Sequence, residues 1–208
     1  MSLYSIIYRL FKFIEKALNY SASKYYSSEF KKCGENFKTF HNLQLHNGKF
    51  IEVGTNVRFG KNCRIECISE YHGKKYHPKL IIGNNVVLND NVHIGCTNSV
   101  IIEDFVLMGS NIYISDHNHG IYDDTFNIDI PFVEQPLTKN KSVRIGRNCW
   151  IGDGCFILPG VNIGNNCVIA ANSVVNKDIP DNSMCAGIPA RVIKKYDVLQ
   201  KRWVSVNI

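Results

Sequence analysis

The chain has 208 residues, of which 45% are hydrophobic and 20% charged, a balance typical of one globular domain with its own core. No apolar run reaches the ~18 residues of a membrane span, and no small-residue cleavage site follows an apolar N-terminal segment, so we expect a cytoplasmic protein. The formal net charge of +6 favours anionic ligands, whereas the lack of a basic run interleaved with aromatic residues argues against nucleic acid.

Residues 1–48 form the first predicted segment, and an amphipathic helix is expected over residues 2–20. Its cationic side chains Arg9, Lys12 and Lys16 lie opposite an apolar set at helical spacing. We expect this helix to contact the rest of the chain or a neighbouring subunit. A weak contact with a membrane surface is the alternative. The apolar set is Leu3, Ile6, Ile7, Leu10, Phe11, Ile14, Ala17 and Leu18.

Residues 49–193 repeat with a period of six. An aliphatic residue returns at every sixth position from Ile145 to Val175, and the same phase recurs upstream in three further groups. The fifteen positions are Val53, Phe59, Ile65, Ile82, Leu88, Ile94, Ile102, Met108, Ile114, Ile145, Ile151, Ile157, Ile163, Ile169 and Val175.

Each group of three hexads has the length of one triangular coil, in which every hexad contributes a short strand and a turn rich in Gly and Asn. Stacking the coils buries the aliphatic positions that a single coil would leave exposed. The repeat therefore predicts an all-β fold, a parallel β-helix of about five coils.

The eight cysteines follow the same repeat, and no CxxC spacing occurs. We interpret them as small buried side chains in a reducing compartment, not as disulfides or metal ligands.

A long loop over residues 115–142 interrupts the repeat between Ile114 and Ile145. Loops of this length in compact domains are usually functional when they are not disordered, and this one is too apolar to be a free linker. His117 falls where the chain leaves the third coil, and histidine is the side chain that proteins most often use as a general base. His117 is therefore the expected general base, ahead of His119. Four carboxylates could hold one tautomer of its ring: Asp116, Asp123, Asp124 and Asp129.

Trp150 lies between Cys149 and Ile151, which the repeat is expected to turn inward, so strand alternation points its indole outward. A large exposed aromatic side chain on the flank of a coil stack indicates a contact surface. The tail, residues 194–208, is predicted to be helical over 194–203.

The "DHNHG" motif, followed by "QPL" and "VRIGRNCWIGDGCFILPGVNIG", resembles the hexapeptide-repeat acyltransferases over about residues 50–195. The likeness is greatest to bacterial O-antigen and capsule O-acetyltransferases and to galactoside and maltose acetyltransferases. It implies a left-handed β-helix, catalysis by His117, and a homotrimer with active sites between subunits.

The resemblance also assigns the remaining site residues. For acetyl-CoA it implies contacts from Trp150, Gly152, Ala171, Lys177, Arg191 and Lys194. Asp153 stands where the family usually has a serine, which puts a side-chain contact at that position in doubt. On the acceptor side, Asn89 matches a sugar-binding asparagine with Asn91 as the alternative, and His119 and Asp116 are further candidates.

The expected activity is acetyl-CoA-dependent O-acetylation of a sugar hydroxyl in a surface polysaccharide or its precursor, with no metal. N-acetylation of an amino sugar or nucleotide-sugar is the nearest alternative. A β-helix carbonic anhydrase, with metal on His93, His117 and His119, is more distant. A non-enzymatic scaffold is disfavoured, because an outward tryptophan and a histidine loop occur together.

Overall fold

The computed structural model describes residues 2–124, 126–138 and 141–206. Short strands stack into three parallel sheets that the chain visits in turn, and these are the three faces of a parallel β-helix. The hand of the coil remains a prediction that rests on the family resemblance.

The first face is one six-stranded sheet. It consists of Lys32–Cys33, Ile51–Val53, Lys79–Ile82, Ser99–Ile102, Val143–Ile145 and Asn162–Ile163. The second face begins with Arg58–Phe59, Val87–Leu88, Leu107–Met108, Trp150–Ile151, Val168–Ile169 and Ser183–Gly187, and two antiparallel strands, Ala190–Asp197 and Arg202–Ser205, extend it. The third face consists of Gln44–His46, Arg64–Cys67, His93–Cys96, Tyr113–Ser115, Phe156–Ile157 and Val174–Val175.

The core is the stack of the fifteen residues at the repeat positions, which we call the ladder positions. On the third face Ile65, Ile94, Ile114, Ile157 and Val175 pair in register from one coil to the next. All fifteen ladder positions are buried, which confirms the inward phase of the repeat.

The cysteines match the prediction of small buried side chains, since all but Cys33 are buried. Burial raises the pKa of Cys63 to about 11 and that of Cys185 to about 12, so these thiols stay protonated near neutral pH.

The coil stack extends beyond the five predicted coils at both ends. Residues 32–46 add a rung below the first predicted coil, with Cys33, Thr39 and Leu45 at the ladder positions. Ile179 bridges to Ile163 and Ser183–Gly187 pairs with Val168–Ile169, which begins another rung above. We call the three-sided stack of coils the prism. Residues 32–46 are part of the prism, although they fall in the segment that was expected to precede it.

The prediction of a helix over residues 194–203 is wrong. Ala190–Asp197 pairs antiparallel with Ser183–Gly187, and Arg202–Ser205 pairs with Ala190–Asp197. The last rung of a coil stack has unpaired backbone groups, and this hairpin satisfies them along the second face. Tertiary pairing thus overrides the local helical propensity of the tail.

The N-terminal helix is longer than predicted and spans Leu3–Glu29, with Ser2 as its N-cap. No residue of this helix is buried. A short 3-10 turn, Gly48–Phe50, connects the first rung to the next strand. Across the described residues, no helix has both the length and the apolar content needed to cross a membrane.

The corners of the prism are built from asparagines in the left-handed region, where Asn is tolerated better than most residues. Asn62 has φ +54°, Asn91 φ +59° and Asn111 φ +59°. Their side-chain amides form a ladder, since Asn62 Nδ2 donates to Asn91 Oδ1 (3.2 Å) and Asn91 Nδ2 donates to Asn111 Oδ1 (2.9 Å). The Gly- and Asn-rich turns therefore have the predicted role.

The long loop leaves the prism after Tyr113–Ser115 and returns at Val143–Ile145. Its two ends meet near the prism, where the Gly120 N–H donates to the Pro136 carbonyl (2.8 Å) and His119 forms an antiparallel bridge with Leu137. A hairpin, Glu70–Tyr71 with Lys74–Lys75, stands beside the loop. Tyr71 Oη donates to the Val133 carbonyl (2.5 Å), so the hairpin holds the loop against the prism.

Candidate active site

His117 lies two residues beyond the end of a third-face strand, Tyr113–Ser115, and only 8% of its surface is exposed. Its ring lies over the strand of the preceding rung at Gly95. A Cβ at Gly95 would come within 3.1 Å of His117 Cε1. The absence of a side chain at Gly95 therefore makes room for the imidazole at the edge of the prism.

Asp116 is fully buried and bonds to His117 Nδ1 through Oδ1 at 2.9 Å. Oδ1 also accepts the N–H (2.8 Å) and the hydroxyl (3.0 Å) of Thr97, while Oδ2 accepts the N–H groups of Asn98 and Ser99, both at 2.8 Å. Burial raises the pKa of Asp116, but hydrogen bonds from His117 and from the backbone of Asn98 and Thr97 outweigh it and hold the pKa below its ordinary value. Asp116 is therefore a carboxylate near neutral pH.

Ser115 is a third member of this group that the sequence reasoning missed. Its hydroxyl donates to the His117 carbonyl (2.8 Å) and lies 3.2 Å from Nδ1. Because that hydroxyl proton is used at the carbonyl, both neighbours of Nδ1, Ser115 and Asp116, act as acceptors. The network assigns the ring proton to Nδ1 and leaves Nε2 with a lone pair in the neutral ring.

His119 is exposed and belongs to the outer wall of the site. Its Nδ1 lies 3.3 Å from Tyr71 Oη, and its carbonyl accepts a hydrogen bond from Tyr122 Oη (2.7 Å). Burial of part of the ring lowers the pKa of His119, and the proximity of His117 lowers it further. Tyr71 was not predicted, since only the folded hairpin brings residue 71 to the loop.

Asp116 does not fit the expectation of an acceptor contact. Its side chain is fully buried and both of its oxygens are used by the protein. A sugar cannot reach a carboxylate enclosed in this way.

Asn89 and Asn91 differ in their surroundings. Asn89 is partly buried just beyond Val87–Leu88, where its backbone N–H donates to the Met108 carbonyl (3.2 Å). Asn91 uses both ends of its amide in the corner ladder, so a structural role accounts for it fully.

Trp150 is 54% exposed on the second face, between its paired neighbours Leu107 and Val168, which confirms the outward orientation. Gly152 follows at the next corner and contacts Ala171 of the rung above, since a Cβ on Gly152 would lie 2.6 Å from the Ala171 nitrogen. The structure thus brings Trp150, Gly152 and Ala171 to one side of the prism.

The C-terminal hairpin adds an aromatic wall beside Trp150. Tyr196, Val198 and Trp203 line a cavity of about 500 Å³ together with Trp150 and Val168. These residues were missed because the tail was predicted to be helical.

The three cations predicted to contact acetyl-CoA lie on two different faces of the prism. Arg191 and Lys194 lie on the hairpin strand Ala190–Asp197, on the second face. Lys177 lies just beyond Val174–Val175, a third-face strand, and is exposed.

Asp153, at the position where the family has serine, accepts a hydrogen bond from the Ser110 N–H. This hydrogen bond stabilises the corner, so a structural role accounts for Asp153 and no ligand contact is needed to explain it.

His117 and Trp150 lie on different faces of one chain, the first at the end of a third-face strand and the second within a second-face strand. No three metal-ligating side chains of the described residues form a group that could hold an ion. His93 instead bonds to Glu66 through Nε2 (2.9 Å), which leaves no support for a metal site on His93, His117 and His119.

A prism built from six-residue repeats, each a short strand and a turn, with an imidazole at its edge is the architecture of a hexapeptide-repeat protein. Residues 142–177 match the family described as bacterial transferase hexapeptide (six repeats). WbbJ of Escherichia coli (strain K12), whose name describes a lipopolysaccharide biosynthesis O-acetyl transferase, is 34% identical over 161 residues, which are 76% of this chain and 79% of WbbJ. The galactoside O-acetyltransferase of Lactococcus lactis subsp. lactis (strain IL1403) is 33% identical over 74% of this chain and 68% of its own length.

Among solved structures, the N-acyltransferase AntD from Bacillus cereus superposes with a TM-score of 0.65 over 85% of this chain and 89% of AntD. At 20% identity this likeness concerns the fold alone. The chain belongs to the hexapeptide-repeat acyltransferases, and its enzyme class is acyltransferase.

Proposed function

We propose that the chain transfers the acetyl group of acetyl-CoA to a sugar hydroxyl of a surface polysaccharide or its precursor, with His117 as general base. The observation that carries this proposal is the side-chain bond between Asp116 and His117 Nδ1, which leaves Nε2 as a base. The names of the relatives, which describe O-acetyl transfer in lipopolysaccharide biosynthesis and to galactosides, support the choice of an oxygen acceptor.

The reaction requires no covalent enzyme intermediate. His117 Nε2 accepts the hydroxyl proton as the acceptor oxygen attacks the thioester carbonyl carbon, which gives a tetrahedral intermediate. When the C–S bond breaks, Nε2 returns the proton to the departing sulfur, and the products are the acetyl ester and free CoA. A positioned base of this kind contributes about 10² to 10⁴-fold. Asp116 positions the imidazole and stabilises its transient positive charge.

The acyl donor is proposed to lie along the second face. Exposed Trp150 offers an apolar wall for the pantetheine arm, and Gly152 and Ala171 are proposed backbone contacts at the corner that follows it. Arg191 and Lys194 offer positive charge for phosphates. Lys177, which follows the third-face strand Val174–Val175, is proposed as a further phosphate contact. The aromatic cavity of Tyr196 and Trp203 lies beside this path.

The functional enzyme is proposed to be a homotrimer. Since His117 and Trp150 lie on different faces of one chain, a site that uses both is completed by a neighbouring subunit. On the acceptor side, Asn89 and His119 are proposed contacts, with Tyr71 beside His119. The cytoplasmic location stays a prediction.

The proposal is tested by measuring CoA release from acetyl-CoA with a panel of mono- and oligosaccharides, and with their amino-sugar counterparts. Turnover with a hydroxyl acceptor and a mass gain of one acetyl group supports it. Turnover with amino sugars alone would reassign the enzyme to N-acetylation, and failure to bind acetyl-CoA would refute the acyltransferase proposal for this site.

A further inference from the structure

The N-terminal helix, Leu3–Glu29, turns its polar side to its own prism. Its contacts with the prism come from a line of residues three or four positions apart, which share one side of a helix. They are Glu15 to Lys61 Nζ (4.0 Å), Asn19 to the His41 N–H (3.0 Å), Ser23 to the Thr39 N–H (2.9 Å) and Tyr26 to the Leu43 carbonyl (2.7 Å).

The apolar side of the same helix faces away from the prism. An amphipathic helix that stabilises a globular domain normally buries its apolar side, so the arrangement here is the reverse of the usual one. Large side chains on that side expose about half of their surface or more: Leu3, Ile6, Ile7, Leu10, Phe11, Phe13, Ile14 and Leu18. An apolar surface of this extent indicates a binding surface for a partner.

The helix Leu3–Glu29 carries a net positive charge, since it contains four Lys and Arg residues and two glutamates. Between the helix and the second face lies a cavity of about 660 Å³. Its lining includes four cations, Lys16, Lys24, Lys38 and Arg58, and one carboxylate, Glu35.

These four cations have no carboxylate partner within the part of the chain that the structure describes. On the helix, the cavity is lined by Lys16, Tyr20 and Lys24, which form the flank next to the prism-contacting residues Asn19 and Ser23. A helix lying in a lipid interface would place that flank at the level of the headgroups.

We propose that the helix Leu3–Glu29 binds the surface of an anionic phospholipid membrane. Its apolar side enters the acyl boundary, and the cavity cations contact lipid phosphates while the prism stays in the aqueous phase. A second copy of the chain is a poorer occupant, because it would bring a second set of unpaired cations to the same boundary. This inference does not depend on the proposed acyl transfer.

The test is flotation of the 208-residue chain with phosphatidylcholine vesicles, with and without phosphatidylglycerol. The chain is expected to float with the anionic vesicles and to remain below with the neutral ones. The double variant Leu10→Asp/Ile14→Asp should lower the bound fraction at least about tenfold, since it puts charge into the apolar side. Leu199→Asp is the matched control, because Leu199 is 95% exposed outside the helix and should leave binding unchanged.

A second pair of variants tests the cavity. Lys24→Gln/Lys38→Gln should weaken binding to phosphatidylglycerol vesicles by about tenfold, whereas Lys75→Gln/Lys201→Gln, which removes the same charge elsewhere, should not. Sedimentation velocity of Leu10→Asp/Ile14→Asp tests whether the apolar side binds a second copy of the chain instead of a membrane. An unchanged particle mass supports the membrane surface, whereas a smaller mass would show that the apolar side joins two copies. A wild-type chain that ignores anionic vesicles would also overturn the proposal.

Discussion

Asp116 and His117 are neighbours in sequence, and their side chains bond to each other at 2.9 Å while Asp116 is fully enclosed by the backbone of residues 97–99. The carboxylate therefore belongs to the prism, and the imidazole projects from it. This division gives the two residues different functions, one in positioning and one at the reacting atoms.

Asp116→Asn should lower kcat by about a hundredfold and leave the Kd for acetyl-CoA near the wild-type value. An amide at this position can present its N–H₂ to Nδ1, which favours the tautomer with the proton on Nε2 and removes the base. Steady-state kinetics and calorimetric binding check the two quantities. A parallel loss of donor affinity would mean that the substitution disturbs the prism instead.

Acid should remove a stabilising contribution of Asp116. Because its pKa is lower in the folded chain than in the unfolded chain, the contribution is fully present above the unfolded value of about 4 and is lost as pH falls through the folded pKa. Urea unfolding of wild type and Asp116→Asn at a series of pH values measures it. The stability advantage of the wild type should shrink below about pH 4; a constant difference would contradict the lowered pKa.

Gly95→Ala should displace the imidazole. The new Cβ would lie 3.1 Å from His117 Cε1, so the ring must shift by a few tenths of an ångström. We expect kcat to fall by about tenfold or more, since misplacement of this order disturbs proton transfer. The melting temperature serves as the control and should change little, because the ring lies at the prism edge. Unchanged kcat would show that the ring position is not critical.

Mixing two impaired variants tests the shared site. Trp150→Ala is expected to raise KM for acetyl-CoA strongly, and His117→Ala to abolish the base. If His117 and Trp150 of different subunits form one site, co-refolded mixtures of the two variants regain activity through sites that contain both wild-type residues. Activity no higher than the sum of the parents would place both residues in the site of a single chain.

The sequence predicted the features that depend on local periodicity. The six-residue repeat predicted the buried ladder, strand alternation predicted the exposure of Trp150, and the break after Ile114 predicted where His117 leaves the prism. The rung formed by residues 32–46 was not predicted. Cys33 and Thr39 occupy ladder positions that are mostly aliphatic elsewhere, so the six-residue period is not visible in this segment.

The features that were not predicted depend on contacts between segments that are distant in sequence. Tyr71 reaches His119 across 48 positions of sequence, and no local pattern announces such a contact. The C-terminal strands form because an open rung lies beside them, although their own residues favour a helix. The polar side of the N-terminal helix faces the prism for the same reason, since Ser23 and Tyr26 find backbone partners there.

The most direct test of the central claim is the rate of acetyl transfer by His117→Ala, with the acceptor sugar that the panel identifies and with His46→Ala as the matched histidine control. His46 is exposed on the first rung, so its loss should leave kcat unchanged. We predict that kcat of His117→Ala falls by at least about a hundredfold at unchanged acetyl-CoA affinity. Full activity of His117→Ala would contradict a base at this position.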